Sequence, residues 1–283
     1  MRFFCFCLLL LVACSKKKPV SSLENEDLAK IAHLYKPIAK PNKHDWLSLH
    51  QEKNQSFADF QETNSGKAES IQFLIAGKLS NQDSALVKKI KGYLSVFYNL
   101  EIGETRQLTI ESIPDSLLRN RKLQSTSFLE FLQNETLIQK ELGVLTLVIC
   151  KSDLQPFPNA NSIFGQASKN KKLALVSLFQ IGKMENEIPN QKLQELRGIK
   201  IASHEVGHLL GLSHCQTFQC NINGVNHLRE LDGKPVQLCP YCLEKVGWRQ
   251  KLEHNNRFEE LGTFWTPQNK ALHTHYGLLK KAF

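Results

Sequence analysis

The segment from His204 to His214 constrains the fold more than any other part of this 283-residue chain. An apolar stripe at helical spacing begins near Gln191 and continues into the segment, which predicts a helix that contains His204 and His208. Residues four apart lie on one face of a helix, so the two imidazoles point the same way. Gly211 can adopt a positive φ and end the helix, which lets the chain turn and bring His214 towards the other two.

Imidazoles brought together in this way form a ligand set for zinc. Neutral histidine nitrogens bind zinc, and three protein ligands leave the fourth tetrahedral position open, as catalytic sites do. Glu205 lies between the first two histidines and points beside the metal, where it can act on a bound water. A chance match on an amphipathic helix is the alternative, but Gly211 and His214 stand at the offsets that a three-histidine site requires. We therefore predict that His204, His208 and His214 bind a catalytic zinc ion.

Cysteines follow immediately, in two close pairs. Cys215 and Cys220 are separated by four residues, and Cys239 and Cys242 by two. Four thiolates at such spacings suit a closed tetrahedral zinc site, which would fix the fold below the catalytic helix. We expect Cys150, which stands apart, to be a buried core thiol.

Two other uses of these cysteines remain open on the sequence. Cys239 to Cys242, taken alone, is similar to the redox motif of thioredoxin-like proteins, but the strand expected upstream is missing and the other pair is unexplained. Disulfides are the second alternative, because an exported protein meets an oxidising compartment. We favour the four-thiolate zinc site.

The chain before the zinc motif alternates between strand and helix patterns. The apolar run 145–150 predicts a central strand, because it is apolar nearly throughout. Further elements are expected as strands at 71–75, 100–110 and 172–179 and as helices at 83–97, with Asp83 as a cap, and at 126–133. This alternation predicts an α/β or α+β domain with a mixed sheet.

The histidine and cysteine spacings together resemble those of the archaemetzincins, a family of metzincin-like zinc metallopeptidases. The likeness extends to residues 221–243, to 145–178 and, for the animal-type members, to 35–60, so it covers roughly residues 35–260. The resemblance implies an α+β fold, with a metzincin-like mixed β-sheet packed against helices, a zinc-binding active-site helix and a C-terminal four-cysteine zinc subregion.

The resemblance also implies a chemistry. Two zinc ions per chain are expected, one catalytic and one structural, with Glu205 as general base in peptide-bond hydrolysis by a zinc-activated water. The ligands would be His204, His208 and His214 for the catalytic zinc and Cys215, Cys220, Cys239 and Cys242 for the structural zinc. A peptide or protein is the expected substrate of a monomeric enzyme. The substrate-binding residues are unknown from the sequence, although residues 165–168 are a candidate sheet edge and His227 is a weaker candidate contact.

One position departs from the family pattern. The family usually has methionine two residues after the second cysteine, in a turn beneath the metal, and this chain has Ile222. The two side chains are similar in bulk, and such exchanges typically cost less than about 1.5 kcal/mol. The departure leaves a second function open, that of a catalytically weak or inactive membrane-anchored zinc protein acting as a binding module. The intact Glu205 argues against this alternative, because zinc ligation alone does not require that carboxylate.

The N-terminal residues have the pattern of an export signal. Arg2 precedes the apolar run 3–12, which is too short to cross a bilayer, since that takes roughly 20 residues. Ala13 followed by Cys14 resembles the end of a bacterial lipoprotein signal, which implies cleavage before Cys14 and acylation of its thiol. The protein would then be exported and anchored by lipid to the cell envelope, at the outer membrane or the cell surface. A plain secretory signal or a buried N-terminal helix is the alternative.

The chain therefore divides into four expected parts. These are a cleaved signal peptide at 1–13, a flexible tether at 14–34, an N-terminal segment packing on the domain at 35–69 and an archaemetzincin-like metallopeptidase domain at 70–283. With 41% apolar and 22% charged residues, the composition is that of a globular protein. The net charge of +9 is spread along the chain without a basic run interleaved with aromatics, so nucleic acid is not an expected partner.

Overall fold

The computed structural model describes residues 23–182 and 190–283. The predicted signal peptide at 1–13, the predicted lipidation site at Cys14 and the first part of the predicted tether lie outside these residues. Within the described part of the chain, no helix combines the length and the apolar character needed to span a bilayer.

A mixed β-sheet forms the centre of the protein. The strands are β1 (Ser70–Ala76), β2 (Glu101–Leu108), β3 (Leu118–Arg119), β4 (Lys122–Gln124), β5 (Val144–Cys150), β6 (Asp153–Gln155), β7 (Gly165–Ser168) and β8 (Leu173–Ser177). Within the described residues, five of them form the main sheet in the order β2-β1-β5-β8-β7, and β3, β4 and β6 form a small second sheet. The neighbouring strands of the main sheet are parallel, except that β7 runs antiparallel to β8 at one edge. The apolar run 145–150 therefore forms a central, fully buried strand, as predicted.

Helices cover both faces of this sheet. They are α1 (Glu26–Ile31), α2 (Trp46–Leu49), α3 (Phe57–Thr63), α4 (Asn81–Tyr98), α5 (Ser125–Gln133), α6 (Gln191–Leu209), α7 (Leu228–Gly233), α8 (Pro240–Gln250), α9 (His254–Trp265) and α10 (Lys270–Ala282). Alternate strand residues point to opposite faces. Phe73 and Leu147 thus pack in the core that contains α4 and α6, whereas Leu74 and Val148 pack in the core that contains α5. The α+β fold class is confirmed.

The start of α4 differs in one detail from the prediction. The N-cap is Ser80, whose hydroxyl accepts the N–H of Asp83, and Asp83 occupies the third helical position of a capping box. Asp83 therefore supports the helix start from inside the first turn instead of capping it.

The flexible tether predicted over 14–34 is wrong for residues 24–34. Leu28 and Ile31 on α1 are fully buried in the main core. The carboxylate of Glu244 accepts the backbone N–H groups of Glu24 and Asn25 at 2.6 and 2.8 Å. Two buried apolar side chains and a carboxylate that holds the preceding turn fix this short helix on the domain.

Candidate metal centre

Helix α6 carries two of the predicted zinc ligands and ends where the sequence predicts a turn. Gly211 has φ of 90°. Its N–H donates to the carbonyl of His208, and the N–H of Leu212 donates to the carbonyl of Gly207. A Cβ on Gly211 would lie 1.9 Å from Oδ1 of Asn64, so both the backbone angle and the space demand glycine.

The turn brings the three predicted histidines together. The Nε2 atoms of His204 and His208 are 3.0 Å apart. A nitrogen of His214 joins them, with all three candidate ligand atoms within 4.8 Å of one another. The three histidines that the spacing predicted to converge therefore lie together in the structure.

Hydrogen bonds at the far side of each ring fix its tautomer. Each Nδ1 lies against an oxygen: His204 against the carbonyl of Asn221 at 2.8 Å, His208 against the carbonyl of Leu212 at 2.7 Å and His214 against Oε1 of Glu52 at 2.8 Å. Carbonyl and carboxylate oxygens only accept, so each Nδ1 carries a proton, and in the neutral ring Nε2 then keeps its lone pair.

These lone pairs fit a metal ion. Two unprotonated Nε2 atoms 3.0 Å apart repel each other unless a cation lies between them. Tetrahedral zinc with bonds of about 2.0–2.1 Å would hold two such nitrogens about 3.3 Å apart. The histidines of this structure therefore have the protonation and the approximate spacing that a zinc ion requires.

Burial keeps His204 and His208 neutral. Burial, helped by the charge of Lys234, holds the pKa of His204 well below its usual value. Burial also lowers the pKa of His208 to about 4. Neutral imidazole is the form that binds metal, so these two rings can bind a cation at neutral pH without losing a proton.

Lys234 is a buried amine next to His204, the first predicted ligand. Its ammonium donates to the carbonyl of Asn221 at 2.8 Å and lies 3.2 Å from Nδ1 of His204. Burial lowers the pKa of Lys234 to about 7. The Asn221 carbonyl thus accepts two hydrogen bonds, one from Nδ1 of His204 and one from Lys234.

Glu205 lies beside the histidines, against the edge strand. It is 7% exposed, and burial raises its pKa to about 8 against the opposing charge of Lys234. A Cβ on Gly165, the first residue of β7, would lie 2.7 Å from both Cγ and Oε1 of Glu205. The strand backbone therefore approaches the carboxylate as closely as a glycine permits.

A cleft of about 1250 Å³ opens above these residues. Its walls come from the N-terminal segment between Trp46 and Thr63, the stretch from Pro156 to Lys169 that contains β7, helix α6 with the turn after it, and parts of 225–234. Gly165, Gln166 and Ala167 of the predicted edge at 165–168 thus line the cleft. His227 does not belong to the cleft wall and instead caps α7, where its Nδ1 accepts the N–H of Glu230 at 3.2 Å.

The cysteines form a second cluster. All four candidate sulfurs lie within 4.8 Å of one another, and the sulfurs of Cys215 and Cys239 are 3.6 Å apart. Cys215, Cys220, Cys239 and Cys242 are buried free thiols. Tetrahedral zinc with Zn–S bonds of about 2.3 Å would separate two sulfurs by about 3.8 Å. The geometry matches a four-sulfur site better than a two-cysteine redox motif, because all four sulfurs converge. Cys150 is buried apart from them, as expected.

Ile222 lies beneath α6. It is fully buried, and its carbonyl accepts the N–H of Cys215 at 3.1 Å. A Cβ on Gly207 would lie 2.5 Å from Cδ1 of Ile222, so the side chain packs directly against the helix between the first two histidines. The isoleucine therefore supports the ligand helix at the position where the family usually has methionine.

A third group of potential ligands, Asp45, His227 and Glu230, also lies close together. Its hydrogen bonds account for it without a metal ion. Because Nδ1 of His227 accepts an N–H, its Nε2 carries the proton and faces Oδ1 of Asp45 at 3.2 Å. The Glu230 carboxylate accepts the N–H groups of Trp46 and Asn226. The group fastens the N-terminal segment to the start of α7.

Several residues of the centre were not predicted from the sequence. They are Glu52, Gln55, Asn221 and Lys234. Glu52 accepts the Nδ1 proton of His214. Partial burial alone would raise the pKa of Glu52, but the hydrogen bond and the charge of His214 outweigh burial, so the pKa lies below its usual value. These residues lie in irregular segments, and two of the contacts use backbone carbonyls, which leave no pattern of residue types.

Comparison with known proteins places the chain in a family. The model of "Peptidase family M54" matches residues 98–247, more than half of the chain. Archaemetzincin-2 of Mus musculus is 28% identical over 264 residues, which cover 79% of this chain and 73% of that protein. Archaemetzincin of Methanocaldococcus jannaschii is 34% identical over 117 residues, which cover 40% of this chain and 65% of that protein.

A solved structure supports the fold. The crystal structure of archaemetzincin from Methanopyrus kandleri superposes with a TM-score of 0.54 at 23% identity, covering 65% of this chain and 97% of that one. Sheet, helices and relatives together define a family of zinc metallopeptidases. The chain belongs to that family, peptidase family M54, whose matched relatives are archaemetzincins. The family resemblance drawn from the histidine and cysteine spacings is confirmed.

Proposed function

We propose that this protein hydrolyses peptide bonds, with His204, His208 and His214 holding a catalytic zinc ion and Glu205 acting as general base. The observation that supports this most is the convergence of three histidine nitrogens with free lone pairs beside a buried carboxylate on the wall of an open cleft. A protein that only bound zinc would need neither the carboxylate nor the cleft.

The chemistry follows from the residues around the site. Zinc, when bound, is a Lewis acid that lowers the pKa of a water molecule to about 7 and polarises the carbonyl of the scissile bond. Glu205 takes the proton of the attacking water and passes it to the leaving amine. Burial supports this role, because a desolvated carboxylate accepts a proton more readily than an exposed one.

We propose that the substrate binds as an extended peptide along β7. This strand pairs with β8 on one side, its residues are half-buried, and the first three of them line the cleft. Main-chain hydrogen bonds to such an edge hold an extended peptide with little dependence on its sequence. Gly165 would place the scissile bond near Glu205, because the two residues are in contact.

We further propose a second, structural zinc ion bound by Cys215, Cys220, Cys239 and Cys242. The cluster connects the chain directly after His214 to the start of α8, because Cys239 is the N-cap of that helix. A closed four-sulfur site there would stabilise the turn that carries the third histidine.

The lipid anchor at Cys14 and the location at the cell envelope are proposals that rest on the sequence of residues 1–14. Incorporation of labelled palmitate into the wild-type chain, lost in Cys14→Ala, is the expected result in a bacterial host. Equal labelling of both chains would contradict the anchor.

Peptide hydrolysis is tested with the purified chain loaded with zinc and a library of quenched fluorescent peptides. We expect turnover by the wild type, a loss of at least about 100-fold in Glu205→Gln, and no loss in Glu62→Gln, an exposed carboxylate on α3. Equal turnover by wild type and Glu205→Gln, or none by either while zinc is bound, would contradict the proposal and favour a zinc-dependent binding module.

A further inference from the structure

The third histidine of the centre, His214, has a different kind of hydrogen-bond partner at Nδ1 from the other two. Nδ1 of His204 and Nδ1 of His208 each face a backbone carbonyl close to the ligand helix. Nδ1 of His214 faces a side chain, the carboxylate of Glu52, at 2.8 Å from Oε1 and 3.1 Å from Oε2. Glu52 lies 162 residues earlier in the chain.

The segment that carries Glu52 is fixed on the turn that carries His214. The side-chain amide of Gln55 donates to the carbonyl of Gly211 at 3.0 Å, and its oxygen accepts the N–H of Ser213 at 3.2 Å. Both groups of this amide are therefore engaged by the turn between α6 and His214. This anchoring holds the Glu52 carboxylate, three residues earlier, beside the His214 imidazole.

The other end of the segment is fixed by an aromatic ring. The indole of Trp46 meets the His214 ring edge to face, with centroids 5.0 Å apart. Gly224 leaves room for this indole, because a Cβ there would lie 2.2 Å from a ring carbon of Trp46. The backbone N–H of Trp46 donates to the Glu230 carboxylate on α7. The imidazole of His214 thus lies between an indole and a carboxylate, both from the N-terminal segment.

We infer that Glu52 is a positioning residue for the metal centre, and that it acts through His214. The inference rests on the proposed function only in taking the three histidines as zinc ligands. A carboxylate that accepts the Nδ1 proton fixes the tautomer and the ring angle, raises the basicity of Nε2, and places a negative charge near a dication held by neutral ligands. Glu52 lies outside residues 98–247, which the family model matches.

The test measures zinc affinity in the full chain by competition with a chromophoric chelator. In Glu52→Ala we expect zinc binding at the histidine centre to weaken about 10- to 100-fold, the usual effect of losing such a partner. In Glu52→Gln we expect a smaller loss, because an amide oxygen still accepts the Nδ1 proton without supplying the charge. Glu62→Gln, in the same N-terminal segment, should bind zinc as the wild type does.

Two further measurements separate positioning from mere folding. The thermal unfolding midpoint of the metal-free Glu52→Gln chain should equal that of Glu62→Gln, and the visible spectrum of the cobalt-substituted histidine centre should change in Glu52→Gln only. Equal zinc affinity and equal cobalt spectra in Glu52→Gln, Glu62→Gln and the wild type would overturn the inference. Equal loss of stability and of affinity in both Glu52 variants, without a spectral change, would also overturn it.

Failure of the proposed function gives a different result. If His204→Ala leaves the zinc content unchanged, the histidines are not zinc ligands and the proposed function fails with its premise. If His204→Ala removes one zinc ion while both Glu52 variants bind zinc normally, the positioning role alone is wrong. If the Glu52 variants weaken zinc binding but no peptide is hydrolysed, the positioning role stands and the peptidase proposal fails.

Discussion

Gly165 and Glu205 touch across the sheet edge, and the contact leaves no room for a methyl group. A Cβ at residue 165 would stand 2.7 Å from the carboxylate oxygen Oε1 and from Cγ. Such an atom must displace the glutamate side chain, because 2.7 Å is closer than non-bonded carbon and oxygen atoms approach. The first residue of β7 thereby limits where the Glu205 carboxylate, the proposed general base, can lie.

We expect Gly165→Ala to lower kcat about 10- to 100-fold, because displacement of a catalytic group by a fraction of an ångström to an ångström costs that much. Zinc content should stay at the wild-type value, since no ligand is touched. Steady-state kinetics and elemental analysis of the same preparations check this. The control is Gly277→Ala on α10, where nothing lies within 4 Å of the added methyl group. Wild-type kcat in Gly165→Ala would mean that Glu205 has more freedom than the contact allows.

The packing of Ile222 against the ligand helix predicts a difference between two substitutions. Ile222→Met keeps the volume and should change the free energy of unfolding by less than about 1.5 kcal/mol. Ile222→Ala should cost about 2–5 kcal/mol, because the residue is fully buried against Gly207. Urea unfolding of the zinc-loaded chains measures both. A greater loss in Ile222→Met than in Ile222→Ala would show that the site beneath the helix rejects the family's usual residue.

The cysteine cluster predicts a countable loss of metal. Cys242→Ser should bind one zinc ion fewer per chain than the wild type and should unfold at a lower temperature, because a structural zinc contributes directly to folding. Cys150→Ala is the matched control, since that thiol is buried outside the cluster. Elemental analysis and thermal unfolding give both readouts. An unchanged metal content in Cys242→Ser would rule out the four-sulfur zinc site.

His254 predicts the behaviour of the protein in mild acid. Burial lowers the pKa of His254 to about 4, and the charge of Arg257 acts in the same direction. As the pH falls, His254 is therefore protonated in the unfolded chain before it is protonated in the folded one. The contribution of neutral His254 to the free energy of unfolding is complete above about pH 6.5 and is lost as the pH falls towards 4. In His254→Gln, that loss of unfolding free energy should be smaller by about 1–2 kcal/mol, after allowance for partial exposure.

Urea unfolding at pH 7, 5.5 and 4.5 measures the effect of the His254 substitution. The exposed His33 provides the control, since His33→Gln should leave the pH dependence as in the wild type. Parallel curves for His254→Gln and the wild type would show that another group titrates in this range.

Local sequence patterns were sufficient to predict the elements whose structure does not depend on distant contacts. The apolar run 145–150 could only be buried on both faces, and it is the central strand β5. The histidine spacing required a helix and a turn, and α6 ends at Leu209, just before the turn at the expected glycine, Gly211. The small sheet of β3, β4 and β6 escaped prediction, because strands of two or three residues are too short to show a period.

Long-range contacts account for the rest. Helix α1 has six residues in a polar stretch, so only the pocket that receives Leu28 and Ile31 makes it a fixed part of the domain. Glu52 reaches His214 across 162 residues of chain, and nothing in the composition of its irregular neighbourhood marks it. The three candidate histidine ligands were predictable because one helix and the turn after it carry them. The groups that orient the histidines, such as Glu52, come from distant segments that only the tertiary structure brings near.

The main sheet ends at β7, and no strand within residues 23–182 and 190–283 pairs with the outer side of β7. Bare edges of this kind usually invite the sheets of other molecules and lead to aggregation. Here residues 165–167 of the edge strand lie in the cleft, whose wall also includes residues of the 46–63 stretch, so we expect this edge to be shielded from a neighbouring sheet. If peptides bind along this strand as proposed, we expect the recess to admit tails, linkers and unfolded chains and to exclude intact folded domains.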